Sequence, residues 1–167
     1  MRGVLAYEDP GLQMKALAVL PQQGVDGRGG VSQQAREWAQ SGDCSREEGL
    51  ARVLLSWFKK EFFKWVNKPP CSACEARGAA MSFKGMVRPT PEETASKASR
   101  VELYACTACG AQTRFPRYND PSKLLETRSG RCGEWANCFT LICRAVGLEA
   151  RHAIDWTDHV WTEARTK

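Results

Sequence analysis

Two cysteine pairs of identical spacing, Cys71-Ser72-Ala73-Cys74 and Cys106-Thr107-Ala108-Cys109, constrain the fold more than any other feature of the chain. Each knuckle presents two sulfurs at the bite of a tetrahedral Zn2+ ion, and four thiolates close a structural site with no open position. Segments separated by 31 residues must therefore meet in space. That separation exceeds the usual ribbon spacing, and Pro89-Thr90-Pro91-Glu92-Glu93 with the Ser/Ala/Lys run after it reads as loop. Thiol-redox chemistry, or cysteines with no shared role, are the alternatives. The apolar run within Met1–Glu8 is too short for a secretory leader, and no stretch approaches the ~20 apolar residues of a membrane helix. The chain is therefore expected in the cytosol, where its eight cysteines serve as thiols and metal ligands rather than disulfides.

A second constraint lies at Arg131-Cys132-Gly133-Glu134-Trp135-Ala136-Asn137-Cys138. Cys132, Trp135, Ala136, Phe139, Thr140 and Cys143 recur at steps of three and four, one stripe of a helix about four turns long. Gly147 suits its C-terminal cap, and Arg144 suits the carbonyl end of the dipole. Cys132 then falls in the first turn. Unpaired N–H groups and the positive end of the dipole favour a thiolate there, and Arg131 is expected to add to that. Glu134 and Asn137 read as a solvated face of this helix, and Cys138 and Cys143 as small packing residues.

Glu149–Trp156 and His159–Ala164 read as two strands around a tight turn at Thr157-Asp158. By period two, His159, Trp161 and Glu163 share one face, and Val160 and Thr162 take the other. A helix lying across the first face would bring Cys132 to His159. That pairing of helix-borne thiol and strand-borne imidazole is similar to the one in papain-like and transglutaminase-like acyl-transfer enzymes.

Arg131–Thr140, Cys143–Gly147, Glu149–Arg151 and Asp158–Glu163, with Phe115–Asn119, Leu124–Arg128 and Trp57–Phe63 upstream, resemble the cytoplasmic peptide:N-glycanases of the transglutaminase-like superfamily. The resemblance covers roughly the last two thirds of the chain. It implies an α+β transglutaminase-like core, its catalytic helix packed on an antiparallel sheet, with a four-cysteine zinc-binding insertion. It implies Cys132 as nucleophile and His159 as proton carrier, with Trp65, Arg151, Trp161 and Glu163 shaping the oxyanion site and substrate cleft. Cys71, Cys74, Cys106 and Cys109 would hold structural Zn2+. The implied reaction cleaves the bond between asparagine and the first N-acetylglucosamine of an N-linked glycan on misfolded glycoproteins, leaving aspartate. Implied partners are denatured glycoproteins or glycopeptides, and proteasome-shuttle ubiquitin receptors. His152 stands where the family carries an aromatic residue and is expected to be structural or exposed.

The resembled family completes its triad with an aspartate on a later strand, and Asp155 and Asp158 precede His159 in the turn. The expectation is thus a truncated or alternatively spliced chain, its core incomplete at the C-terminus, weakly active or inactive. Residues 1–44 are expected to form an N-terminal helix and flexible connector, with at most a short helical stretch near Trp38. Residues 45–167 form the core, with the zinc-binding subdomain at 69–112. Asp9-Pro10 and Asp120-Pro121 read as helix starts, and Phe115–Tyr118 as a connection. Ser45 with Glu48 opens a helix through Leu50, Val53, Leu54, Trp57, Phe58, Phe62, Trp65 and Val66, ended by Pro69-Pro70.

Two further function classes stay open. The thiol–imidazole pair could serve a transglutaminase or protease acting on unglycosylated amides, or the chain could be a non-catalytic zinc-stabilised module that binds glycoproteins or partner proteins. The excess of 24 basic over 19 acidic residues is too scattered, and too poor in stacking aromatics, for a nucleic-acid grip.

Overall fold

The computed structural model describes residues 5–21, 31–42 and 44–166. Asp9 starts α1 (Pro10–Ala18): its Oδ1 accepts the Leu12 N–H at 2.7 Å, and Pro10 occupies a position whose N–H would have no partner. Helix α2 (Val31–Gln40) is ten residues long, more than the stretch expected near Trp38. It contains no glycine or proline to stop it. Residues 22–30 and Asp43 of the expected connector lie outside the described residues. Helix α3 (Arg46–Trp57) opens on Ser45, whose hydroxyl accepts the Glu48 N–H at 3.1 Å.

The helix expected to run on to Pro69 ends earlier. After Trp57 the backbone widens into a π turn, Phe58–Phe62, closed by the Phe63 N–H on the Phe58 carbonyl at 2.8 Å. It then extends into β1 (Lys64–Trp65), which pairs in parallel with Ser129-Gly130. The Lys64 and Val66 N–H groups reach the Arg128 and Gly130 carbonyls at 2.8 and 2.9 Å, so tertiary pairing outweighs helical periodicity here.

The stretch between the knuckles is also more ordered than a loop. Strand β2 (Met81–Val87) leads to α4 (Pro91–Ala95), where Thr90 and Glu93 form a reciprocal capping box. Strands β3 (Val101–Cys106) and β4 (Gln112–Pro116) complete a three-stranded antiparallel sheet of order β2-β3-β4, so Phe115-Pro116 end a strand rather than connect elements. Met81 pairs with Cys106, which places the second knuckle at the end of β3.

Helix α5 (Pro121–Thr127) is capped by Asp120 and stopped by left-handed Arg128 (φ 49°), whose guanidinium lies 4.7 Å from the Phe62 ring centre. Strand β5 (Ser129–Gly130) follows, then α6 (Cys132–Ala145). Gly147 (φ 86°) turns the chain out of α6, and the Leu148 N–H returns to the Cys143 carbonyl at 3.0 Å. Strands β6 (Ala150–Ile154) and β7 (Val160–Ala164) form an antiparallel hairpin, turned at Asp158 (φ 63°). The architecture is α+β, and no helix of the described residues is long and apolar enough to cross a membrane.

Helix α6 is buried on most sides, not along one stripe: Ala136, Cys138, Phe139, Thr140, Leu141, Ile142 and Cys143 are all buried. Helices α1 and α5, the π turn and the hairpin enclose it. Phe58 packs against Phe63 (centroids 5.1 Å), Trp135 (4.9 Å) and Phe139 (5.1 Å). Burying a side chain of that size contributes roughly 2–3 kcal/mol, so this cluster fixes the first turns of α6 against the chain leading to Trp65. The expected solvated face is corrected by the same enclosure. Glu134 and Asn137 are 5% and 6% exposed. Asn137 accepts the Tyr7 hydroxyl at 2.7 Å and donates to the Asn119 carbonyl at 3.1 Å.

Gly130 is required by space rather than by φ: a Cβ there would lie 2.4 Å from the Glu134 Cβ. Gly130→Ala is expected to destabilise the chain by about 2 kcal/mol or more, read from the midpoint of urea unfolding.

Candidate active site and cysteine cluster

Helix α6 carries three cysteines at different depths. Burial pushes the Cys143 thiol up to about 12 and raises that of Cys138, which leaves both protonated. Cys132, at the first helical position, is partly exposed and opens into a cleft of about 970 Å³. Its N–H, in the first turn, has no carbonyl partner within the helix. Trp135, Ala136 and Phe139 continue the lining from α6; Trp65 and Lys64 face the cleft from β1, and His159 and Trp161 from the hairpin. Four of the predicted site residues, Cys132, His159, Trp65 and Trp161, thus meet at one cavity. Its surface is mainly apolar, and Lys59 and Lys60 add cationic groups to the lining.

The route by which the histidine arrives differs from expectation. Helix α6 packs on the Thr162 face of β7, where the Thr162 hydroxyl meets the Ala136 carbonyl at 3.0 Å and the Thr140 hydroxyl at 2.9 Å. The His159/Trp161/Glu163 face is not the one covered. Thr162 can enter the helix surface because its hydroxyl satisfies a buried carbonyl, whereas Glu163 would enter it as a charge. His159 therefore reaches the cleft from the residue just before β7, exposed, with its ring centre 5.7 Å from that of Trp161. Asp155 shapes the turn that carries it. One carboxylate oxygen accepts the Thr157 N–H, the Thr157 hydroxyl and the His159 backbone N–H at 2.7–3.1 Å, and the Thr157 bond first holds this carboxyl below its usual range. Asp155 thus fixes the backbone of His159 rather than its imidazole.

Arg151 and Glu163 do not line the Cys132 cleft. They pair with each other at 2.6 Å across the hairpin and border a separate groove with Glu149 and Arg165. Glu163 also accepts the Trp161 indole N–H at 3.1 Å, so the pair braces a cleft wall from behind. The Trp65 indole N–H is donated to Asn67 Oδ1 at 2.8 Å, which leaves the Cys132 N–H as the donor best placed for an oxyanion. His152 is half-buried with its Nε2 enclosed and unpartnered, and burial lowers its affinity for a proton.

The charge expected to support a Cys132 thiolate is directed elsewhere. The Arg131 guanidinium forks onto Glu102 of β3 at 2.9 and 2.7 Å. Glu102 also accepts the Tyr104 hydroxyl at 2.7 Å and Arg117 at 3.1 Å. Arg117 in turn forks onto Glu134 at 2.6 and 2.8 Å. Burial alone would raise the Glu102 carboxyl; the Arg131 and Tyr104 hydrogen bonds outweigh it and hold the group down to about 2. Little in the sequence announced this network. The only signal was Glu134 three residues after Arg131, the spacing at which a side chain returns to the backbone N–H preceding a helix.

All four predicted metal-ligating cysteines come together. Their sulfurs lie within 4.8 Å of one another, with Cys71–Cys109 at 3.5 Å and Cys74–Cys106 at 3.6 Å. A tetrahedron with metal–sulfur bonds near 2.3 Å has sulfur–sulfur edges of about 3.8 Å, so the donor set fits a metal of that geometry. The Cys74 and Ala73 N–H groups hold the Cys71 thiol down to about 6, while neighbouring sulfurs raise the Cys74 and Cys109 thiols against their own backbone N–H bonds.

Residues 82–167, about half of the chain, match the family model described as the transglutaminase-like superfamily. Over 161 residues, 96% of this chain, the sequence is 52% identical to the peptide-N(4)-(N-acetyl-beta-glucosaminyl)asparagine amidase of Homo sapiens and 50% identical to that of Gallus gallus, covering 24% of each. Against the amidase of Arabidopsis thaliana it is 48% identical over 160 residues, covering 22% of that protein. The chain spans about a quarter of the length of these curated relatives.

The folded chain binds Glu102 in its ionised form. An unfolded glutamate ionises near pH 4.3, so the stabilisation is complete above about that value and is lost as pH falls towards 2, roughly 3 kcal/mol in all. Acid unfolding followed by tryptophan fluorescence should steepen through that window in the parent chain. In Glu102→Gln it should be shallower, from a lower stability at neutral pH.

Proposed function

The chain belongs to the transglutaminase-like superfamily, and from that premise we propose that it carries the thiol amidase core of a peptide:N-glycanase, acting on N-glycosylated denatured proteins or glycopeptides. The observation that carries the reading is the meeting of Cys132, at the start of α6, with His159, at the start of β7, in one cleft walled by tryptophans. Indole faces suit the apolar faces of a sugar ring, and the opening has room for a peptide with its first sugar.

In this reading His159 takes the Cys132 thiol proton, the sulfur attacks the side-chain amide carbon of a glycosylated asparagine, and the oxyanion is received by the Cys132 N–H. As the tetrahedral adduct collapses, the carbon–nitrogen bond breaks and His159 delivers its proton to the leaving nitrogen. The products are a thioester and a glycosylamine, which later loses ammonia. Water, deprotonated by His159, then attacks the thioester, regenerating the thiol and leaving aspartate. Arg151 and Glu163 act by holding Trp161 against the substrate. Cys71, Cys74, Cys106 and Cys109 hold Zn2+ in a structural role, since four sulfur donors leave no site for substrate. The cellular setting is the cytoplasm, where thiols stay reduced, in the clearance of misfolded glycoproteins; by family resemblance, proteasome-shuttle ubiquitin receptors are docking partners.

The test is incubation with a glycosylated asparagine peptide and its bare counterpart, read by mass spectrometry for asparagine-to-aspartate conversion. Release from the glycosylated peptide only is expected. Cys132→Ala and His159→Ala should each lower release about 10³-fold or more. Cleavage of the bare peptide alone would reassign the cleft to a protease or transglutaminase. Elemental analysis should find one zinc per chain, lost in Cys71→Ser and Cys106→Ser; a full complement of zinc in either variant would remove the four-cysteine assignment.

A further inference from the structure

Three pieces of chain converge on Arg131. Its Nε donates to the Val66 carbonyl at 3.2 Å and its Nη2 to the Asn67 carbonyl at 2.8 Å, just after Trp65. The same guanidinium forks onto Glu102 of the knuckle sheet, and its Nη2 reaches the Tyr104 hydroxyl at 3.2 Å. The Arg131 backbone N–H, one residue before Cys132, is held by Glu134 at 3.0 Å. Because Arg117 bridges Glu134 and Glu102, the contacts close into a ring of two arginines and two glutamates. The ring is neutral, and the Glu102, Glu134 and Arg117 side chains are 7%, 6% and 9% exposed.

Such a ring is a poor choice if stability alone is needed, since desolvating four charges offsets most of their attraction. It is a good choice for geometry, because every atom of the two forks has a direction to satisfy. Geometry is what this place lacks otherwise: the β1–β5 pairing that carries Trp65 beside Gly130 is two residues long, too short to hold register alone.

We propose that Glu102, remote from the cleft, is a positioning residue for the thiol chemistry. By fixing Arg131 it locks the Trp65 wall in register with the Cys132 N–H and sulfur. The proposal rests on the reading of Cys132 as nucleophile. Glu102 and Tyr104 sit on the strand that ends at the ligand Cys106, so the knuckle sheet is the support from which the cleft is aligned.

The experiment compares Glu102→Gln, Arg131→Lys and the milder Tyr104→Phe with the parent chain by amide hydrogen exchange and glycopeptide kinetics. Exchange at Lys64 and Val66 should accelerate in the first two variants at least about tenfold more than exchange at Ile142 and Cys143, which follows global stability, and by less in Tyr104→Phe. kcat should fall about 10- to 100-fold with KM little changed, and Glu102→Asp should recover part of the loss. Acceleration at Val66 no greater than at Ile142 and Cys143 would make Glu102 a general stabiliser and overturn the proposal. Local loosening with unaltered kcat would overturn it too. Should the parent release no glycan, the amidase reading falls, and the exchange pattern by itself decides whether Glu102 sets the register.

Discussion

The start of α6 lies where three unrelated stretches of chain must agree: the segment after the π turn, the knuckle sheet, and the loop after β4. Apolar packing alone could not make them agree to a fraction of an ångström, because apolar contact is non-directional and tolerates sliding. The buried ring of Arg131, Glu102, Arg117 and Glu134 supplies the direction. The aromatic cluster around Phe58 supplies the driving force. With both in place, the partly exposed Cys132 at the start of α6 is held by its neighbours without being covered by them.

The knuckle sheet is less able to sustain itself. Its buried apolar cluster is small, consisting of Met81, Tyr104, Cys71 and Cys106 with a few partly buried neighbours. Two of those four belong to the four-cysteine cluster. A layer so thin has little hydrophobic stabilisation of its own, and the four converging sulfurs offer the substitute that small domains commonly use. Glu102 joins this layer to α6.

What the sequence disclosed was mostly local. Asp9, Ser45 and Asp120 announced helix starts because a short acceptor side chain satisfies an N–H a few residues on, and Gly147 announced an end through its positive φ. The clustering of the four cysteines was legible because their chemistry fixes residue type and spacing, and Cys132 and His159 do border one cleft. Where neighbours distant in sequence decide, the text was misleading. Trp65 fits a helical stripe but sits on a strand because Ser129-Gly130 offers its backbone. Glu134 looks like a solvated carboxylate until Arg117, seventeen residues earlier, closes over it. The hairpin alternation was right, yet which face met the helix turned on a hydroxyl able to satisfy a buried carbonyl.

The depth ordering of the three α6 cysteines has a consequence for how the protein ages. Oxidants act on the sulfur they can reach, and on this helix that is Cys132 alone, since Cys138 and Cys143 are fully enclosed. Peroxide would convert Cys132 to a sulfenic acid while the interior of the helix stayed reduced. Such damage would mark the cleft long before it unfolded the chain, and a thiol reductant could reverse it.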